Sequence, residues 1–294
     1  MRPDISYRGR FAPSPSGLLH FGSLITALAS FLDARKNNGT WLVRIEDIDP
    51  PRELVGASKL ILNTLEAFGL HWDESVLYQS KQSERYQALL QSLHHKEKSY
   101  YCQCTRANIK ALGGIYQGHC RHLELPAEQS ATRLINTQPV NHFTDLVQGD
   151  VQGDNALSAE DFIIHRKDGL FAYQLAVVAD DIHQKITHVI RGCDLLTPTM
   201  RQLTLFNSLA SSAPLYGHIP LAVTNKGFKL SKQNKAPAID NTSPQISLLA
   251  ALNFLGQHPE KQLANASVTE IINWAIAHWQ IEKVPKQQEI MLNT

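Results

Sequence analysis

Apolar positions along the chain alternate between two spacings. Residues 5–14 (ISYRGRFAPS) read as a strand that enters a turn. Residues 18–39 (LLHFGSLITALASFLDARKNNG) carry apolar side chains at helical spacing, with Asn38-Gly39 as the stop. A second strand follows in TWLVRIEDIDP, ending in acidic residues and prolines, and a second helix in residues 51–70. Residues 83–102 continue as a further helix. Between about 99 and 151 the periodicity breaks down, which predicts an inserted subdomain. DFIIHRKDGLFAYQLAVVADD then gives a strand, a turn and an apolar helix, HVIRGCDLL a buried strand, and PTMRQLTLFNSLASS a helix. Beyond the loop NKGFKLSKQNK the period is mostly helical. Strand–helix–strand–helix order at these lengths predicts an α/β fold, a parallel sheet with crossover helices. Ligands in such sheets sit at the carboxyl ends of the strands, where residues 10–17 and 46–49 fall.

Composition adds bounds. The chain has 294 residues, 43% hydrophobic and 19% charged, with a formal net charge of +1. That is an ordinary globular balance, long enough for more than one domain. It neither demands nor excludes a nucleic-acid partner, because a local basic patch suffices. No uncharged apolar run approaches the length of a membrane span, and MRPDISYRGRF has no signal-peptide apolar region, so cytoplasm is the expected compartment. Four cysteines in such a chain favour reduced thiols or a metal over disulfides.

Three stretches carry candidate chemistry. PSPSGLLHFG places a stiff turn before a helix that starts near His20. The unpaired N–H groups of that first turn form a ready anion site, and Gly22 allows close backbone approach. The late loop GFKLSKQNK brings Lys229, Ser231 and Lys232 together. Cys102, Cys104 and Cys120 have the spacing of a structural zinc site. Spacing alone leaves the fourth ligand open, with His119 and His122 the commoner ligand types and Tyr116 a rarer one. Cys193 reads as a buried strand residue.

The paired layout of His20-Phe21-Gly22-Ser23 and Lys229-Leu230-Ser231-Lys232-Gln233 resembles the two signatures of class I aminoacyl-tRNA synthetases. RFAPSPSGLLHFGSLITAL, WLVRIEDIDPPR and VIRGCD with DLLTPTMRQ narrow the resemblance to the glutamyl and glutaminyl branch, over most of residues 7–235. Ser23, Leu230 and Gln233 depart from the usual His, Met and Ser. The resemblance implies a Rossmann catalytic domain, a doubly wound parallel sheet, with its halves at 1–98 and 186–235, a zinc-containing insertion at 99–185 and a small helical piece at 236–294. It implies ATP, with Mg²⁺, held by Pro13, His20, Gly22, Ser23, Lys229, Ser231 and Lys232, of which His20 and Lys232 are catalytic. It implies L-glutamate held by Arg10, Phe11, Ala12, Pro13, Ser14, Glu46, Tyr173 and Arg191. Arginine suits the carboxylates by its planar fork, and Glu46 suits the ammonium. The C-x-C then Y-x-x-x-C order of the branch's tRNA-modifying members implies one structural Zn²⁺ on Cys102, Cys104, Tyr116 and Cys120, with His119 as the alternative to Tyr116.

Only residues 233–294 follow Lys232, less than an anticodon-binding module needs. This points to the branch's truncated, tRNA-modifying members. Those activate glutamate without tRNA and pass it to the queuosine base at the wobble position of tRNA(Asp). The expected partner is therefore the anticodon loop of that tRNA, docked by a monomer. Two alternatives stand beside this reading. One is a compact glutamyl-tRNA synthetase charging a tRNA 3′ end. The other is an inactive nucleotide- or tRNA-binding module.

Overall fold

A computed structural model describes residues 6–225, 228–229 and 237–292. β1 (Arg8–Phe11), α1 (Phe21–Lys36), β2 (Thr40–Ile45), α2 (Ala57–Ala67) and β3 (Leu77–Tyr78) form a parallel β1–β2–β3 sheet with crossover helices. The second helix begins later than its apolar spacing predicts. Pro50–Arg52 forms only one 3-10 turn, and Gly56 at φ 81 takes a left-handed conformation that interrupts the helix before Ala57. α3 (Ser83–His95) ends earlier than expected, because Ser99–Cys102 leaves it as β4 and pairs antiparallel with β5 (Ala131–Leu134). α4 (Arg106–Ala111) lies between these two strands in the chain.

β6 (His142–Asp145) and β7 (Gly149–Gln152) make a hairpin. After α5 (Asn155–Ala159), β8 (Ile163–His165) completes the β4–β5–β8 sheet. The chain then returns through α6 (Tyr173–His183), β9 (His188–Gly192), α7 (Leu196–Ser208) and β10 (Leu215–Ile219). β9 and β10 are parallel, with Arg191 opposite His218. The Thr187 N–H donates to the Arg8 carbonyl at 2.9 Å and sets β9 beside β1. The strands therefore run in the order β3–β2–β1–β9–β10, a doubly wound arrangement that reverses between β1 and β9. β11 (Leu221–Asn225) pairs with β12 (Phe228–Lys229) and with β13 (Glu289–Met291). β10, β11 and β13 carry too few alternating positions to stand out in the sequence. Between β12 and β13 lie α8 (Pro244–Phe254) and α9 (Val268–His278). No described helix is long and apolar enough to cross a membrane.

Strand alternation sorts the side chains. Phe11, Trp41, Val43, Ile45 and Ile190 enter the main core with α1, α2, α8 and α9. α1 is buried on nearly every side, from Leu24 to Ala34. The intervening residues Arg10, Leu42, Arg44, Glu46, Val189 and Arg191 face the opposite way, where Arg10 and Arg44 meet α6 and Arg191 meets α7. There α3, α6 and α7 share a second core around Tyr86, Leu175 and Phe206.

The C-terminal helices are tied to α1 by one buried carboxylate. Asp33 accepts from the Tyr7 hydroxyl at 2.5 Å and from the Trp279 indole N–H at 2.9 Å. Gly256, at φ 71, passes so close to the Lys283 carbonyl that a Cβ would lie 2.3 Å from it. Asp33→Ala leaves two buried donors without an acceptor, and is expected to lower the unfolding free energy in urea by about 3 kcal/mol.

Candidate active site

The carboxyl ends of β1, β2 and β9 open into a cleft of about 460 Å³. Every sequence-predicted residue for glutamate lines it: Arg10, Phe11, Ala12, Pro13, Ser14, Glu46, Tyr173 and Arg191. So do Pro13, His20, Gly22 and Ser23 from the nucleotide set. Two halves of the chain, far apart in sequence, meet there because the strand order reverses between β1 and β9.

The charged side chains of this face are arranged in two ways. Arg10 donates to Asp181 of α6 through Nε at 3.3 Å and Nη2 at 3.4 Å. Asp181 also accepts from Arg44, which is fully buried and lies 3.8 Å from Asp180. Burial works against the charge of Arg44, yet Asp181, Asp180 and Glu46 hold its pKa above the usual arginine value. Burial likewise works against the Asp181 carboxylate, and Arg10 and Arg44 hold it below the usual carboxylate range. Arg10 thus has a carboxylate partner within the protein.

Arg191 does not share this pattern. Its hydrogen bonds run to His218 Nε2 (3.0 Å), Thr199 Oγ1 (2.7 Å), Gln202 Oε1 (2.8 Å) and the Leu195 carbonyl (3.3 Å), all neutral acceptors. Its Nη1 is buried without a hydrogen-bond partner, and so is Glu46 Oε1. A buried polar atom left unpaired is costly, so among the described residues of the cleft one guanidinium nitrogen and one carboxyl oxygen are left in want of a partner. Burial pushes the Glu46 carboxyl up to about 7 against the pull of Arg44 and Arg10. Burial, with Glu46 nearby, pushes the Tyr173 hydroxyl up to about 12.

At the other end of the cleft, His20 is the N-cap of α1, and its Nδ1 accepts from the Ser23 N–H at 3.3 Å. Gly22 and Ser23 form the first turn. Ala238 forms an antiparallel bridge to His20, and the Ile239 N–H donates to the Leu19 carbonyl at 3.1 Å. The backbone of Lys229 pairs with Val223 in β12, next to Leu221 and Ala222 of the cleft wall. Ser231 and Lys232 lie outside the described residues.

The Sγ atoms of Cys102, Cys104 and Cys120 all lie within 4.8 Å of one another, and this cluster could hold a metal ion. Cys104 and Cys120 are 3.5 Å apart. Burial and the neighbouring thiols push Cys104 up to about 12. The Tyr116 hydroxyl is buried beside them, accepts from the Cys120 N–H at 2.9 Å and interacts with Cys102. His119 is exposed, its ring 5.6 Å from that of Tyr116.

The residues behind the cleft escaped the sequence reading. Asp180 and Asp181 end an apolar helix stretch, and Arg44 interrupts an apolar strand. Such charges in buried periods were the available signal. Asp145 and His218 gave no local signal, since they meet only through the sheet. Asp145 Oδ2 lies 2.6 Å from His218 Nδ1. Burial pushes the His218 pKa down against the pull of Asp145, and Asp145 is itself held below the usual carboxylate range against its burial, mainly by His218.

Glu46 yields a pH prediction. Its carboxyl holds a proton in the fold up to about pH 7, but in the unfolded chain only to the ordinary value of 4.5. Between those values the folded state binds more protons, so stability is full below the unfolded pKa and is lost as pH rises through the folded one. The loss is no more than about 3 kcal/mol. Glu46→Gln is expected to remove this part of the slope. Urea midpoints of both proteins from pH 4 to 8 check it, since the difference between the two curves isolates Glu46.

A family model described as tRNA synthetases class I (E and Q), catalytic domain, matches residues 6–289. A protein of Colwellia psychrerythraea named Glutamyl-Q tRNA(Asp) synthetase is 64% identical, over 98% of this chain and 95% of its own length. One of the same name from Serratia proteamaculans is 53% identical, again over 98% and 95%. Among solved structures, a glutamate tRNA ligase from Elizabethkingia meningosepticum in complex with its amino acid is 26% identical. It aligns with a TM-score of 0.77 over 96% of this chain, which spans 66% of that longer one. By sequence and by fold, the chain belongs to the class I tRNA synthetases of the glutamate and glutamine branch, in the glutamyl-Q tRNA(Asp) synthetase family.

Proposed function

We propose that the chain activates L-glutamate with ATP, without tRNA, and transfers the glutamyl group to queuosine at the wobble position of tRNA(Asp). The observation that carries this is the pair of unpartnered buried groups, Arg191 Nη1 and Glu46 Oε1, in one cleft with the N-terminus of α1. Arg191 and Arg10 attract the carboxylates of glutamate, and Glu46 in its ionised form takes the ammonium. The names of the 53–64% identical relatives support the tRNA(Asp) acceptor.

In the first step a carboxylate oxygen of glutamate bonds to the α-phosphorus of ATP. The bond from that phosphorus to the bridging β-oxygen breaks, and pyrophosphate leaves. No protein nucleophile is needed. The work of the site is alignment and stabilisation of phosphate charge. His20, Gly22, Ser23 and the α1 N-terminus serve the phosphates from one side, with Pro13 beside them. Lys229, Ser231 and Lys232 are the other phosphate residues, with Lys232 supplying the charge. Mg²⁺ bound with ATP offsets further phosphate charge. In the second step a hydroxyl of queuosine's cyclopentene ring attacks the adenylate carbonyl, loses its proton, and AMP leaves. Anticodon-loop bases can be splayed into such a cleft, and phosphate contacts make that binding salt-dependent. A monomer in the cytoplasm completes the reading.

The cysteine cluster fits Zn²⁺. Cys102, Cys104 and Cys120 would supply thiolates and Tyr116 the fourth ligand, in preference to the exposed His119. The ion would pin residues with little apolar core of their own. Metal analysis of untagged protein is expected to give close to one zinc per chain, lost in Cys104→Ser. A zinc-free, folded wild type would remove this assignment.

Glutamate transfer is measured on two tRNA(Asp) samples that differ only in queuosine or guanine at the wobble position. Labelling of the queuosine sample alone, through a bond that survives removal of the 3′ end, is expected. Equal labelling at the 3′ end would make the protein a compact synthetase. Failure of both, together with no glutamate-dependent ATP–pyrophosphate exchange, would leave a binding module.

A further inference from the structure

His218 is fully buried on β10, opposite Arg191 in the parallel register of β9. Its ring is held at both nitrogens. Nδ1 lies 2.6 Å from Asp145 Oδ2, and Nε2 lies 3.0 Å from Arg191 Nε. An arginine N–H only donates, and an ionised carboxylate only accepts. Nε2 therefore presents its lone pair to Arg191, and the ring proton sits on Nδ1. Asp145 is fixed in turn. Its Oδ1 accepts the backbone N–H groups of Val147 (2.9 Å), Gln148 (2.9 Å) and His218 itself (3.0 Å). Thr199 Oγ1, which also accepts from Arg191, lies 3.0 Å from the same Nε2 and donates to the Leu195 carbonyl at 2.8 Å.

A self-satisfied buried network needs no function. What sets this one apart is the charge of its acceptors. Arg10 is oriented by a carboxylate that it shares with Arg44, so part of its charge is offset within the protein. Arg191 is oriented by neutral atoms, and none of the ion pairs among the described residues includes it. Its Nη1 stays buried and unpartnered beside the cleft. A carboxylate in place of the imidazole would aim Arg191 equally well but weaken its hold on a ligand anion.

The geometry points to His218 as a positioning residue that sets the substrate preference of the cleft. Asp145 locks its imidazole in the Nδ1–H form, and the free Nε2 lone pair aims Arg191 without neutralising it, so that L-glutamate is taken in preference to the uncharged amide of L-glutamine. This rests on the reading of the cleft as a glutamate site. The role belongs to a residue that touches no substrate and acts only through Arg191.

Asp145→Asn tests it. The three backbone N–H groups hold the amide oxygen, which turns the amide NH₂ towards His218 Nδ1. The imidazole proton must then move to Nε2, where it faces the Arg191 N–H. By calorimetry the glutamate Kd is expected to rise about 10- to 100-fold, as for loss of a hydrogen bond to a charged group. The ATP Kd should stay unchanged, and the preference for glutamate over glutamine should shrink in proportion. His218→Gln, whose amide oxygen reaches the Nε2 position, should retain glutamate binding close to wild type. The ¹⁵N spectrum of histidine-labelled protein should show a pyridine-type Nε2 for His218 in the wild type and a pyrrole-type one in Asp145→Asn, with the resonance identified by its absence in His218→Gln.

A pyrrole-type Nε2 in the wild type overturns the proposal. So does a folded Asp145→Asn protein that binds glutamate normally, or that loses glutamate and ATP alike. If Asp145→Asn fails to fold, the wild-type resonance and the affinity of His218→Gln decide the question. If the wild type binds no glutamate, the reading of the cleft fails and this inference falls with it.

Discussion

Asp181 lies between two guanidinium groups below the cleft. Arg10 arrives from β1 and Arg44 from β2, on the same face of the sheet, and both are cut off from water. Two buried cations side by side repel, and each is expensive to desolvate alone. The carboxylate from α6 resolves both problems. It also fixes the distance between α6 and the sheet, so Tyr173 at the start of that helix reaches the cleft. Glu46, one alternation beyond Arg44, completes the charged face at its open end. The floor of the cleft is thus an alternating array of charges, rigid because no member can leave without exposing the others.

Against this floor Arg10 and Arg191 are unlike. Arg10 is paired with a carboxylate of the protein and Arg191 is not. The distinction matters because a ligand anion responds to net charge as well as to hydrogen-bond geometry. It also explains why the chain invests in the Asp145–His218 pair. A neutral acceptor is the one kind of group that can orient a guanidinium without consuming its charge, and histidine meets that need here because its Nε2 accepts from Arg191, with burial lowering its pKa in the same sense. Within a family whose named members act with glutamate, such a division of labour gives the site a physical basis for telling an acid from its amide.

The cysteine cluster stands apart from this chemistry. It closes the segment between β4 and β5, where Tyr116 packs under the Arg133 guanidinium at 3.7 Å. Few apolar side chains are available there. A bound ion would supply the cohesion that the segment cannot draw from hydrophobic burial. The C-terminal helices solve the same problem differently. They extend the main core over α1 and anchor to it through Asp33.

Much of this was legible in the sequence, for reasons that are local. The helical period of residues 18–39 and the alternation in TWLVRI are properties of neighbouring residues, and they predicted α1, β2 and the class of the sheet. The turn before His20, the cysteine spacing and the quoted motifs likewise lie within short windows, so their residues could be named before any fold was known. The limits were local too. A left-handed Gly56 delayed a helix that apolar spacing alone would have started earlier, and short strands such as β10 and β11 offered too few alternations to be recognised. What only the tertiary structure decided is pairing across the chain. That Asp181 answers both Arg10 and Arg44, that Arg191 is met by His218 instead of a carboxylate, and that Asp145 stands behind it depend on which strands become neighbours. Sequence spacing carries no record of that choice, because strand order is settled by the packing of helices on the two faces of the sheet.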